Sequence, residues 1–203
     1  KKYDDASGLL RAAANDPPLR PFKPQFLFQL SQAYEYGGKT AQALAAIAEA
    51  RRFSPRLSKL PLLDFQEAWI YYHAHQWDKA IPRFEALIKR LPADQFPNEK
   101  SIVRRCQFSL SSIYVQQGEI AKGEKILEQI FAEEPDNPSV NNDLGYLYAD
   151  QGKKLKQAEQ MIRKAIKAEP DNVAFLDSMG WVLYRLERFE EALPYLVKAS
   201  ARA

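Results

Sequence analysis

The sequence predicts an all-α fold, a solenoid in which antiparallel helix pairs stack one after another. Two observations predict it. A small residue, a large apolar residue four positions later and a small or apolar residue three positions after that recur along the chain, usually with a proline five positions further on. Glycine is scarce, at 8 of 203 residues, which suits helices joined by tight turns.

The recurring pattern marks the second helix of each pair. Its first three positions fall on one helical face, and the proline ends the helix. The blocks are Ala6, Leu10, Ala13, Pro18; Ala43, Ile47, Ala50, Pro55; Ala80, Phe84, Leu87, Pro92; Gly123, Leu127, Ile130, Pro135; Ala158, Ile162, Ala165, Pro170; and Ala192, Leu196, Ala199. Pro82 and Pro194 follow the small residue by two positions, and we expect both to fall in the first turn of a second helix that starts near Trp77 or Arg188.

The first helix of each pair lies upstream of its block and carries its own apolar positions. They are Leu30 and Tyr34; Ala68 and Tyr71; Leu110 and Tyr114; Leu144, Gly145 and Tyr148; and Met179, Gly180 and Leu183. Short turns such as Gln117-Gly118 and Gln151-Gly152 follow them, which predicts a helix, a turn and a second helix in each repeat.

These residues resemble the tetratricopeptide repeat of bacterial proteins, which matches in period and residue type. The resemblance implies one right-handed superhelical array over residues 1–203. Its parts are a half repeat at 1–20 and repeats at 24–57, 61–94, 104–137, 138–172 and 173–203. The last two repeats also resemble those of envelope lipoprotein adaptors. Because the chain starts with Lys1 inside a repeat, we interpret it as a fragment of a longer protein, with apolar surface exposed at both ends.

The array is irregular at three places. Residues Ser58–Leu60 lengthen one connection, Gln95–Val103 add nine residues between repeats, and Lys153–Leu155 add one residue to the fourth turn.

Composition argues against catalysis, metal binding and nucleic-acid binding. The net charge is +3, too small for a nucleic-acid footprint, and no apolar run is long enough to span a membrane. His73 and His75 are two positions apart on a predicted helix, so they point in different directions, and Cys106 has no recognisable histidine partner. We therefore expect no enzyme activity, no metal and no cofactor, and we interpret Cys106 as a small core residue.

The first helices are where the sequence indicates a binding site. In the resembled family, the second, fifth, ninth, twelfth and thirteenth positions of each repeat line a concave groove. Nine of these 25 positions are aromatic here, and aromatic residues dominate binding hot spots. The alternative is that these rings only pack between adjacent helices, and Phe65 and Phe108 fit that alternative best. The predicted binding residues are Phe28, Gln32, Tyr36, Phe65, Trp69, Tyr72, His73, Arg105, Phe108, Ser112, Asn142, Tyr146, Asp177, Trp181, Tyr184 and Arg185.

The leading hypothesis is a scaffold or adaptor that binds a peptide or protein segment in this groove. Two other hypotheses remain open: a self-association module, and a regulatory segment of an enzyme whose catalytic domain lies outside this fragment. One cysteine allows no intramolecular disulfide, so the sequence does not separate cytoplasm from periplasm, and an envelope lipoprotein would need a signal upstream.

Overall fold

A computed structural model describes residues 2–53, 60–91 and 99–202 of the chain. Within these ranges the protein is all-helical, as predicted, with a 3-10 helix at Pro17–Phe22 between the first two α-helices. The α-helices are α1 Lys2–Asn15, α2 Lys23–Tyr36, α3 Thr40–Phe53, α4 Pro61–His73, α5 Trp77–Arg90, α6 Lys100–Gln116, α7 Ile120–Glu133, α8 Pro138–Asp150, α9 Leu155–Ala168, α10 Val173–Arg185 and α11 Phe189–Ser200. Pro55, Pro92 and parts of the two predicted insertions, residues 58–59 and 95–98, lie outside the described residues.

The chain divides into two compact units, residues 1–113 and 114–203. In the first unit α2 packs against α3 and α4 against α5, and α1 packs against α2 as the second helix of an incomplete pair. In the second unit α8 packs against α9 and α10 against α11, while α10 also contacts the preceding pair. Helix pairs in sequence order are therefore the building blocks of both units.

Small residues sit where the two helices of a pair come closest. The eighth position of four repeats is small and buried: Ser31, Ala68, Gly145 and Gly180. The matching position of the second helix in these four repeats is also small and buried: Ala43, Ala80, Ala158 and Ala192. A Cβ added at Gly145 would lie 2.9 Å from Ile162 Cγ1, so glycine is required by the close approach of α8 and α9.

The turns within the pairs close in one common way. In each turn a backbone N–H donates to the carbonyl oxygen five residues earlier, for example from Lys39 to Tyr34 and from Arg188 to Leu183. The residue before that donor has a positive φ in all five turns: Gly38, His75, Gly118, Gly152 and Glu187. The fourth turn, which the sequence predicts to be one residue longer, also places Lys154 at a φ of 47°.

The placement predicted for two prolines is wrong by one turn. Helix α5 starts at Trp77 and α11 at Phe189, close to the predicted starts, but Pro82 and Pro194 are each the sixth residue and lie inside the helix. The backbone N–H that proline lacks would have bonded to the carbonyl four residues earlier. Both helices continue beyond the proline: α5 then buries Phe84 and Leu87, and α11 buries Ala199, whereas Leu196 of α11 is 38% exposed.

Candidate peptide-binding surfaces

The predicted binding residues lie on the first helices of the pairs, α2, α4, α6, α8 and α10. We call the second, fifth, ninth, twelfth and thirteenth positions of each repeat the helix-A face. Residues three or four positions apart are neighbours on a helix surface, so within one helix these side chains form a continuous strip. The strip is described below separately for each unit.

In the first unit, α4 carries a stack of rings on its helix-A face. The rings of Trp69 and Tyr72 lie 5.1 Å apart between centroids at 23°, and His73 lies 4.6 Å from Trp69. Trp69 also stacks on Phe65, at 5.5 Å. We call Phe65, Trp69, Tyr72 and His73 the α4 ring cluster. Trp69 and Tyr72 are half-buried and His73 is exposed, so one side of the cluster is open to a ligand.

Phe65 does not contribute surface to the cluster. Its side chain is only 1% exposed and lies 5.9 Å from Phe84 of α5 between ring centroids. Its burial favours the alternative interpretation of this residue, in which Phe65 is the core support on which Trp69 rests. Phe108 is half-buried.

Helix α6 holds the α4 ring cluster in place from the other side. The guanidinium of Arg105 lies 4.2 Å from the Phe65 ring centroid and 5.6 Å from that of Trp69. A cation over the face of an aromatic ring is attracted by the ring quadrupole. The hydroxyl groups of Tyr72 and Ser112 are 3.0 Å apart and share a hydrogen bond. Arg105 is exposed and Ser112 half-buried, so both predicted residues are at the surface.

Glu35 of α2 links the cluster to the preceding pair, an interaction that sequence reasoning missed. Its side chain is buried, its Oε2 accepts a hydrogen bond from Gln66 Nε2 at 3.0 Å, and its Oε1 lies 2.5 Å from His73 Nδ1. Burial raises the pKa of Glu35, while the interactions with His73 and Gln66 act in the opposite direction. The twelfth and thirteenth positions of successive repeats are the pattern that could have indicated this contact.

The α2 part of the helix-A face has two separate features. Tyr36 is exposed and stacks on Tyr3 of α1, with ring centroids 5.7 Å apart. Phe28 is half-buried and lines an open cavity of about 360 Å³ together with Gln25, Leu62 and other residues. Gln32 is half-buried between these features along α2. The structure therefore brings the predicted α2 residues to one face without joining them into a single cluster.

In the second unit the face combines rings with carboxylates. Trp181 and Tyr184 of α10 stack at 5.6 Å and 17°, and Tyr146 of α8 is 40% exposed. Arg185 donates a hydrogen bond to the backbone carbonyl of Asp150 at 2.6 Å and lies 5.6 Å from the Trp181 ring centroid. Asp177 is exposed one turn before Trp181.

Two buried polar atoms in this unit have no hydrogen-bond partner. Asn142 is only 6% exposed; its amide nitrogen donates to Asp143 at 3.0 Å, but its Oδ1 accepts nothing. The indole Nε1 of Trp181 is also buried without an acceptor. Buried polar atoms are normally paired, and each exception needs a reason. Asn142 and Tyr146 are four residues apart, on the same face of α8.

Not all tyrosines belong to the helix-A face. Tyr71, Tyr114 and Tyr148 occupy the eleventh position of their repeats, and each is covered by a cation from the following helix. Arg83, for example, lies 4.5 Å from the Tyr71 ring centroid. These rings stabilise the helix pairs and provide matched controls for the exposed rings.

The described residues hold no group of His, Cys, Asp and Glu side chains arranged to bind a metal ion. Cys106 is fully buried, and burial raises the pKa of its thiol to about 12. Among the helices in the described ranges, none is both long and apolar enough to cross a membrane.

Comparisons with known proteins agree with the fold. Two family models described as tetratricopeptide repeat match residues 114–176 and 150–203. The TPR repeat-containing protein PA4667 of Pseudomonas aeruginosa is 36% identical over 203 residues. The match covers the whole of this chain but only 32% of that protein. The resemblance of the last two repeats to envelope lipoprotein adaptors stays a prediction.

Solved structures with low sequence identity share the architecture. The thermophilic TPR protein TTC0263 of Thermus thermophilus superposes with a TM-score of 0.63 at 18% identity, over 89% of this chain and 91% of that one. The quorum sensor NprR of B. thuringiensis, in complex with its cognate peptide NprX, gives 0.67 at 15% identity, over 99% of this chain and 67% of that one. Residues 114–203 belong to the tetratricopeptide repeat family, and the described chain as a whole has its all-helical repeat fold.

Proposed function

We propose that this chain is a protein-interaction scaffold that binds a segment of another protein on its helix-A faces, with the α4 ring cluster as the main contact. The observation that carries the proposal is the open side of Trp69 and Tyr72. Their rings are stacked, supported from below by Phe65 and flanked by Arg105. Rigid aromatic side chains offer contact area with little entropy left to lose on binding, which is typical of binding hot spots.

Contacts with the neighbouring helices α2 and α6 preorganise the α4 ring cluster. Tyr72 is fixed to Ser112 by a hydrogen bond, and His73 is fixed to Glu35. Fixing the rings before a ligand arrives reduces the ordering cost of association. The peptide complex of NprR is a precedent for a segment bound by a protein of this fold. Its 15% sequence identity to this chain supports a shared fold and nothing finer.

Affinity capture with wild type and the Trp69→Ala/Tyr72→Ala double variant tests the proposal. We expect the double variant to lose the captured proteins while circular dichroism shows unchanged helicity. Tyr71→Ala is the matched control, because that ring is the direct neighbour of Tyr72 but lies under Arg83, away from the helix-A face. Retention of all captured proteins by the double variant would overturn the proposal.

A second candidate function is self-association, which is favoured by one observation. Helix α11 exposes apolar side chains on one face, with Leu193 at 61% and Val197 at 59% exposure. Leu9 of α1 is likewise exposed, at 75%. Light scattering across a dilution series of wild type and Leu193→Glu/Val197→Glu tests this function: a mass that depends on concentration only in wild type supports it, and a constant monomer mass removes it.

A further inference from the structure

The helix-A face of the second unit carries acceptor groups that lack a donor. Asp150 and Asp177 form no ion pair with any residue of the described range 114–202. Both are exposed, and both flank Tyr146: each acts on its phenol to raise the pKa of that group, after the larger effect of burial. This places two carboxylates around one exposed ring.

Asn142 adds an independent observation. This residue is only 6% exposed, and its buried Oδ1 accepts no hydrogen bond. Asn142 lies one turn before Tyr146 on α8, and Asp150 lies one turn after Tyr146 on the same face. Two exposed carboxylates therefore share a face with the rings of Tyr146, Trp181 and Tyr184, and an unpaired amide oxygen is buried beside Tyr146 on α8.

Arg185 supplies one positive charge against the two carboxylates of this face, so it leaves the face net negative. Its guanidinium donates to the backbone carbonyl of Asp150, at the C-terminal end of α8. A cation there compensates the negative end of the helix dipole. The Asp150 carboxylate, by contrast, stands where the dipole disfavours a negative charge, so its presence does not stabilise α8.

We propose that this face receives a lysine or arginine side chain of the bound segment, held between the Asp150 and Asp177 carboxylates and against the exposed rings. The inference rests on the proposed binding of a protein segment and specifies its chemistry at this unit: a basic residue next to apolar ones. An ammonium or guanidinium supplies only donors together with a positive charge, which complements the two exposed carboxylates. Rings of this kind attract cations at their faces.

Binding of two short fluorescent peptides, one alternating leucine with lysine and one alternating leucine with glutamate, tests the inference by anisotropy. We expect wild type to bind the lysine peptide and to bind the glutamate peptide more weakly. Asp150→Asn/Asp177→Asn should weaken binding of the lysine peptide about tenfold, since each exposed charge pair contributes modestly. The affinity should also fall as salt is added.

Glu187→Gln/Glu190→Gln is the matched control, because it removes the same charge from the same unit at exposed positions in the turn and at the start of α11. We expect this control to bind the lysine peptide as wild type does. Equal binding of the two peptides by wild type, or equal loss in both double variants, would overturn the inference. Neither result bears on Trp69 and Tyr72, so failure of the proposed function would be seen separately in the capture experiment.

Discussion

The hydroxyl of Tyr72 lies 3.0 Å from that of Ser112, so a hydrogen bond joins the first helices of two successive pairs. It connects α4 to α6 on the helix-A face, beside the stacked rings. The bond fixes the rotation of the Tyr72 ring against Trp69, and its energy can be separated from the contribution of the ring itself.

Removing only this hydroxyl should affect stability more than binding. We expect Tyr72→Phe to lower the free energy of unfolding by about 0.5–1.5 kcal/mol, the usual net value of one hydrogen bond, because the ring stack is retained. Urea denaturation measures the change. Ser112→Ala completes a double-mutant cycle, and additive losses in the double variant would show that the two hydroxyl groups do not interact.

Adding a methyl group at Gly145 should destabilise the second unit. The new Cβ would lie 2.9 Å from Ile162 Cγ1 and 3.1 Å from the Ala158 carbonyl oxygen, and Ile162 is fully buried. Overpacking costs about 1–3 kcal/mol, which exceeds the gain in helix propensity of about 1 kcal/mol. Gly8→Ala is the control: with no atom within 4 Å of its added Cβ, it should stabilise α1 in thermal unfolding.

The positive φ shared by the five turns predicts how substitutions at these positions change stability. Gly118 has a φ of 80° and open space around it, so Gly118→Ala should destabilise by about 1–2 kcal/mol through backbone strain alone. Glu187 occupies the same position of its turn at a φ of 61°, and Glu187→Gly should have the opposite sign. Melting temperatures of the two variants test this; a shift in the same direction in both would contradict it.

Asp143 should make stability depend on pH. Burial raises its pKa above the ordinary value of 3.8, and the hydrogen bond from Asn142 offsets only part of that effect. A raised pKa in the folded state means that Asp143 supports folding fully below its unfolded pKa. That contribution is lost as pH rises through the higher folded value.

Asp143→Asn should therefore stabilise the protein relative to wild type at neutral pH and make little difference at pH values below the ordinary aspartate range. Asparagine keeps an acceptor for the Asn142 amide. Urea denaturation over a pH series measures the difference, and a gap between the two proteins that does not change with pH would refute the assignment. Asp136→Asn, at an exposed site paired with Lys164, is the control.

Cys106 should be unreactive in the folded protein. The thiol is buried, and its pKa of about 12 leaves almost no thiolate at neutral pH, while the thiolate is the reactive form. We expect a thiol reagent to label Cys106 only as urea unfolds the protein, with the same midpoint as the loss of helicity. Rapid labelling without urea would contradict this placement.

The fold was predictable because period and residue size are properties of the chain itself. Ala43, Ala80 and Ala158 stand at the same position of their blocks, and the structure buries all of them. The left-handed turns at Gly38, Gly118 and Gly152 were equally visible. His75 and Glu187 were not, because histidine and glutamate do not signal a positive φ although they adopt it here.

The residues of the helix-A face were predictable as a set of positions, but their contacts were not. Spacing placed Phe65 on the helix-A face, whereas the depth at which α4 packs on α5 buries it. The contact of Glu35 with His73, and the unpaired oxygen of Asn142, depend on distances between helices that sequence separation does not encode. Pro82 shows a similar limit: the helix start was predicted correctly, but not that α5 would accommodate a proline after its first turn.

The Tyr72–Ser112 hydrogen bond spans 40 positions, and the contact of Glu35 with Gln66 spans 31. Both contacts join successive helix pairs, so only a modest length of chain has to close to form them. Chain topology should therefore slow folding little. Folding can nucleate at any group of neighbouring helix pairs and propagate along the chain, because each pair is stabilised largely by the pairs beside it.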